Sequence, residues 1–105
     1  MAAEPAGPVV VRNEDDSRFE ARIDGQLAGF AAYVTAPGRI VFTHTEVDPA
    51  YEGQGVGSAL ARFALDDVRA SGSLDVVPRC PFIRGWIDRH PEYADLVADR
   101  RSPPA

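Results

Sequence analysis

Four short stretches hold the residues best suited to chemistry. The first is Glu52-Gly53-Gln54-Gly55-Val56-Gly57-Ser58, which alternates glycine with other residues. Glycines let backbone approach a ligand closely, and amide N–H groups left free at a helix start face an anion. The same stretch also suits a turn that binds nothing. Two phosphate loops are excluded. A P-loop needs lysine before its Ser or Thr, and the chain contains no lysine. The dinucleotide fingerprint needs glycine where Ser58 stands, and it follows the first strand of a parallel domain.

The second stretch is His44-Thr45-Glu46-Val47. On a strand, His44 and Glu46 share one face, while Thr43, Thr45 and Val47 share the other. A free imidazole titrates near pH ~6.5, so it can accept a proton in neutral solution, and a neighbouring carboxylate can orient it. The two residues can equally form a structural pair. The third stretch is Val76-Val77-Pro78-Arg79-Cys80, which contains the single cysteine. A thiol with an ordinary pKa of about 8.5 can give up a proton or attack as thiolate. It can also serve as a small buried apolar residue. The fourth is His90-Pro91-Glu92-Tyr93. His90 suits a helix-end contact, and Tyr93 either packs or brings its hydroxyl to a site. Arg79 and Arg84 are candidate bidentate donors to phosphate, or ordinary solvated arginines. Trp86 reads as core. Glu14-Asp15-Asp16 reads as a solvated turn that could attract a cationic amine.

These residues need elements to position them. Phe19, Ala21 and Ile23 alternate with Glu20, Arg22 and Asp24, the period of a half-buried strand. Asp24-Gly25 suits a tight hairpin turn, and residues 27–34 form the returning strand. Ala36-Pro37-Gly38 turns again into a β-branched and aromatic strand over 39–47. Residues 9–11 suit an edge strand. From about 55 to 70 the apolar positions Val56, Leu60, Phe63, Ala64 and Val68 recur at helical spacing. Ser71-Gly72 ends that helix. A short strand over 74–77 follows, then short helices over 82–89 and 92–98, broken at Pro91. The fold class is α+β, a mostly antiparallel sheet with a late βαβ crossover.

Length and charge limit the alternatives. At 105 residues the chain makes one domain, expected over 9–98 with flexible tails at 1–8 and 99–105. Residues 1–52 carry nine acids and four arginines, whereas residues 53–105 carry seven of each. That balance disfavours nucleic acid, which needs phosphate neutralisation. One cysteine beside two histidines also disfavours a structural metal site. No apolar run approaches the roughly 20 residues that span a bilayer, and the first residues lack a signal peptide's apolar core. The expected setting is cytoplasmic, without a membrane partner, as a monomer or weak dimer.

The loop Glu52 to Gly57 resembles the pyrophosphate loop of the GNAT superfamily of acyl-CoA N-acyltransferases, Gln/Arg-x-x-Gly-x-Gly/Ala. Gly55 and Gly57 take the two small positions, and Glu52 stands where Gln or Arg is usual. The likeness extends to a small single-domain branch (YjdJ-like short acetyltransferase proteins). It rests on Arg18-Phe19-Glu20, His44 to Val47, Val76 to Cys80 and His90 to Tyr93. The resemblance implies a minimal GNAT fold and an acetyl-CoA-dependent N-acetyltransferase acting on a primary amine. A non-catalytic acyl-CoA-binding or sensing module on the same fold is the alternative. It also implies a site. Main-chain groups of Thr45, Glu46 and Val47 would pair with the pantetheine arm. Amides of Gly53, Gln54, Gly55, Val56, Gly57 and Ser58 would hold the pyrophosphate, with the Glu52 side chain turned away. Cys80 would lie near the CoA sulfur, where larger members commonly have a tyrosine; by its own chemistry it is then the candidate proton donor or acetyl-accepting nucleophile, and His44 is the candidate base.

Overall fold

The computed structural model describes residues 7–97. Five strands, β1 (Val9–Asn13), β2 (Arg18–Ile23), β3 (Gln26–Ala36), β4 (Arg39–Val47) and β5 (Asp75–Pro78), form one sheet in sequence order. The first four are antiparallel to their neighbours, and β5 lies parallel to β4. That parallel pair needs a crossover, supplied by α1 (Val56–Ser71). A second helix, α2 (Pro81–Arg89), and a 3-10 segment, Pro91–Leu96, complete the chain. Of the expected tails, only Gly7 and Pro8 fall among the described residues.

The turns follow from residue type. Asp24 and Gly25 both have positive φ, 51° and 77°, the mirror-image turn that matches strand twist in a two-residue hairpin. Gly38 and the helix-ending Gly72 sit at φ 73° and 72°, where a side chain would strain the backbone. The Gly72 N–H returns to the carbonyls of Val68 and Arg69, closing α1 as its Ser-Gly end suggested.

One face of the sheet is covered by the helices. Phe19, Phe42, Leu60, Ile83 and Trp86 are nearly or fully buried in a single core. The expected stripe on α1 holds for Val56, Leu60, Ala64 and Val68, whereas Phe63 is 40% exposed and Leu65 is buried instead. The segment expected as a helix over 92–98 is a 3-10 turn whose last carbonyl-side neighbour, Val97, bridges in parallel to Val76. Ala98 lies outside the described residues.

Alternation on β2 fails at one informative place. Glu20 lies on the face away from the helices, as expected, but it is only 5% exposed. Asn13 Nδ2 and Arg18 Nε donate to its Oε2 at 3.1 and 2.8 Å, and Arg22 Nη2 donates to Oε1 at 3.0 Å. These donors, Asn13 foremost and then Arg18, hold its carboxyl down at about 2. Burial is tolerated because both oxygens are satisfied.

Candidate functional site

Two features of the sheet create an opening. The β4–β5 pairing runs from Arg39↔Asp75 to Phe42↔Pro78. Pro78 carries no N–H to continue the ladder, and the Cys80 N–H donates to the Phe42 carbonyl at 2.9 Å as the chain turns into α2. Residues 43–47 of β4 therefore run on past the end of β5. A bulge in the β3–β4 pairing, where Ala32 meets His44 and Tyr33 meets Phe42, leaves Thr43 as the extra residue beside that opening.

Cys80 stands at the mouth of the splay. Its residue is 3% exposed, and Sγ donates to Thr45 Oγ1 at 3.3 Å. Both a small buried side chain and a chemical group describe it, because its polar partner is the hydroxyl of the half-buried Thr45 on β4. His44 and Glu46 project from the opposite face, as the period of two requires. His44 Nε2 lies 2.8 Å from Glu46 Oε2, with the side chains 57% and 61% exposed. The imidazole also stands edge-on to Phe30, with ring centroids 6.1 Å apart. Beside Glu46 is a cavity of about 230 Å³ lined by Leu27 to Phe30 and Glu46 to Pro49. The structure thus brings Thr45 to Cys80, and Glu46 to His44, on the two faces of one strand.

The glycine-rich loop follows β4 through a 3-10 turn, Pro49–Tyr51, capped by Asp48 Oδ1 accepting from the Ala50 N–H at 2.9 Å. Gly53 and Gly55 take φ of 85° and 78°, with open space around each Cα. Their role is conformational: only glycine adopts this backbone without strain. Gly55 is the N-cap of α1, and no side chain caps the helix. The N–H groups of Val56, Gly57 and Ser58 therefore belong to an uncapped first turn, the arrangement that favours an anion. Gly57 has a different task. A Cβ there would meet Phe82 Cζ at 2.7 Å, so its smallness admits an aromatic ring from α2.

Between loop and α2 lies a cavity of about 340 Å³. Gly53, Gly55, Gly57 and Ser58 form one wall, and Phe82, Trp86 and Arg89 of α2 form the other. Val47 and Glu52 also border it, whereas the Val56 side chain is 2% exposed and belongs largely to the core. Gln54 is exposed and is not among the lining residues. Phe82 and Arg89 escaped the sequence reading. Their signal was the spacing with Trp86, at i, i+4 and i+7 of one short helix.

The last motif serves architecture. His90 stacks on Trp86 with ring centroids 3.7 Å apart and the rings nearly parallel, and its Nδ1 lies 2.8 Å from the Trp86 carbonyl. Tyr93 donates to Asp66 Oδ1 at 2.7 Å and accepts from Arg62 at 3.3 Å. Burial, followed by the bond to Asp66, raises the Tyr93 pKa above its usual value. Arg84 donates to the Pro78 carbonyl at 3.3 Å, and Arg79 is exposed.

Solved structures share this architecture. A GCN5-like putative N-acetyltransferase from Staphylococcus aureus matches over 85% of this chain and 86% of its own, with TM-score 0.66 and 20% identity. A ribosomal-protein-alanine N-acetyltransferase from Brucella melitensis biovar Abortus 2308 matches over 77% and 60%, with TM-score 0.56 and 23% identity. The ribosomal-protein-S18-alanine N-acetyltransferase from Escherichia coli has 27% identity and TM-score 0.53 over 56% of this chain. This chain spans 38% of that enzyme's length. No curated protein matches at a significant level. The model of the GCN5-related N-acetyl-transferase family matches residues 18–96, which contain the splay, the uncapped loop and the α2 wall, and the chain belongs to that family.

Proposed function

We propose that this chain is an acetyl-CoA-dependent N-acetyltransferase that acts on a primary amine, within the small single-domain YjdJ-like branch of its family. The observation that carries the reading is the uncapped, amide-rich start of α1 facing a cavity beside the β4–β5 splay. These residues fit the donor's chemistry. Backbone N–H groups at a helix start suit a diphosphate without needing lysine. Residues 43–47, beyond the end of β5, offer main-chain groups for an extended arm to add as a strand.

Acetyl-CoA, when bound, supplies the thioester whose carbonyl carbon is attacked. The chain's own groups then handle two protons. His44, oriented by Glu46 on the β4 face opposite Cys80, accepts the proton that an amine approaching from that face loses as the C–N bond forms. Cys80 gives a proton toward the departing thiolate as the C–S bond breaks. Its S–H already donates to Thr45 Oγ1, which supports the donor role over the acetyl-accepting one. The cavity edged by Glu46 and Asp48 supports an amine acceptor, because carboxylates favour an ammonium group.

A thermal-unfolding titration with acetyl-CoA tests the reading. Ligand at about 100 times Kd should add roughly 2.7 kcal/mol of stability, and a screen of amines should then show CoA release. No stabilisation and no heat of binding would remove the donor from this fold. Binding without turnover across the panel would favour the acyl-CoA-sensing alternative.

A further inference from the structure

The wall between loop and α2 contains a contact that these roles leave unused. Trp86 is 1% exposed, yet its indole N–H donates to Ser58 Oγ at 2.9 Å across 28 residues of chain. Ser58 is the exposed third residue of α1, and both residues border the loop cavity. We infer that Trp86 is a positioning residue for the donor's diphosphate, acting through the Ser58 hydroxyl; the inference rests on the acetyl-CoA reading above.

The geometry of one hydroxyl is constrained here. Serine has a single O–H proton and two lone pairs. An indole N–H only donates, so the Ser58 oxygen must turn a lone pair toward Trp86 and its proton elsewhere. An untethered first-turn serine can rotate freely and bond to nearby backbone. Here the indole fixes the oxygen at the cavity it shares with Gly55 and Gly57, where a bound diphosphate would accept the remaining proton. A hydroxyl donor then joins the amides of the uncapped turn, all directed at one anion.

The anchor is itself held rigidly. Its ring stacks on His90 at 3.7 Å, lies 5.3 Å from the Tyr93 ring, and has the Arg62 guanidinium 5.3 Å from its centroid. Tyr93 and Arg62 are hydrogen-bonded to each other, and Tyr93 is bonded to Asp66 of α1. The His90-Tyr93 segment thereby sets the position of a loop hydroxyl through a single ring. A buried indole N–H needs an acceptor, and the one Trp86 uses is the hydroxyl at the cavity wall.

Calorimetry on the full chain with acetyl-CoA tests this. Trp86→Phe keeps an aromatic ring without the N–H, and Ser58→Ala removes the hydroxyl. Each should weaken acetyl-CoA binding about three- to tenfold, and the double variant should lose no more than the worse single one. Ser58→Thr, which keeps the hydroxyl, should bind like wild type. The KM for acetyl-CoA should rise with kcat unchanged, and kcat/KM for S-acetylpantetheine, which lacks the diphosphate, should stay constant. Should Trp86→Phe unfold, the Ser58 pair decides alone. Wild-type affinity in Ser58→Ala, or losses that multiply in the double variant, overturns the inference while leaving the donor reading intact. Wild-type protein silent toward acetyl-CoA overturns the donor reading and the inference with it.

Discussion

Two polar clusters in this small fold meet opposite ends. Around Glu20 both acceptors are satisfied: Asn13, Arg18 and Arg22 converge on two carboxylate oxygens that are shut away from water. Around the glycine loop the reverse holds, since α1 begins without a side-chain cap and its first amides border an open cavity. A closed cluster contributes stability by satisfying buried charge. An open one leaves donors for something outside the chain. The first ties β1 and β2 together at the antiparallel edge, and the second sits where β4 outruns β5.

Substitutions can break or sharpen that contrast. The largest effect belongs to the splay beside the open cluster. Cys80→Ala should lower kcat on the order of 100-fold, as loss of a proton donor does, while calorimetric affinity for acetyl-CoA stays near wild type. Unchanged kcat would leave Cys80 a packing residue, and mass spectrometry after acetyl-CoA alone would show an adduct only if the sulfur is a nucleophile.

Next comes the closed cluster, read through pH. Glu20 titrates at about 2 in the fold against an ordinary 4.5. A depressed carboxyl contributes stability that is fully present above about 4.5 and is lost as pH falls toward 2. The loss should be on the order of 3 kcal/mol from this group, visible in denaturant melts across that window. Glu20→Gln should flatten that slope and leave acetyl-CoA affinity unaltered. A change in affinity would abolish the distinction between the two clusters.

Smaller effects should come from the loop glycines, for two separate reasons. Gly55→Val places a β-branched side chain at φ 78°, which should cost about 1–2 kcal/mol and raise the acetyl-CoA Kd about tenfold by calorimetry. Gly57→Ala pushes only on the far edge of the Phe82 ring. Its cost should stay near ~1 kcal/mol, and Phe82→Leu in the same chain should recover part of it in thermal melts.

Much of the scaffold was legible because it depends on local chemistry. Asp24-Gly25 and Ser71-Gly72 encode positive φ, and the alternation of Phe19, Ala21 and Ile23 encodes a half-covered strand. The loop was legible as a glycine pattern. Its glycines nevertheless looked alike, although Gly53 and Gly55 serve conformation while Gly57 makes room for Phe82. Glu20 looked like any solvent-facing acid, because Asn13 reaches it only after β1 pairs with β2. Phe82 and Arg89 became cavity walls only once α2 had folded back over the loop.

The sequence by itself determined the element order, the turns, the acidic first half and a glycine loop opening a helix, since each depends on residues close together in the chain. The tertiary structure alone decided which side chains meet. It set Cys80 against Thr45 across 35 residues and the Trp86 indole against Ser58 across 28. Such partners are chosen by the packing of helices on the sheet. Local propensity carries no record of that choice.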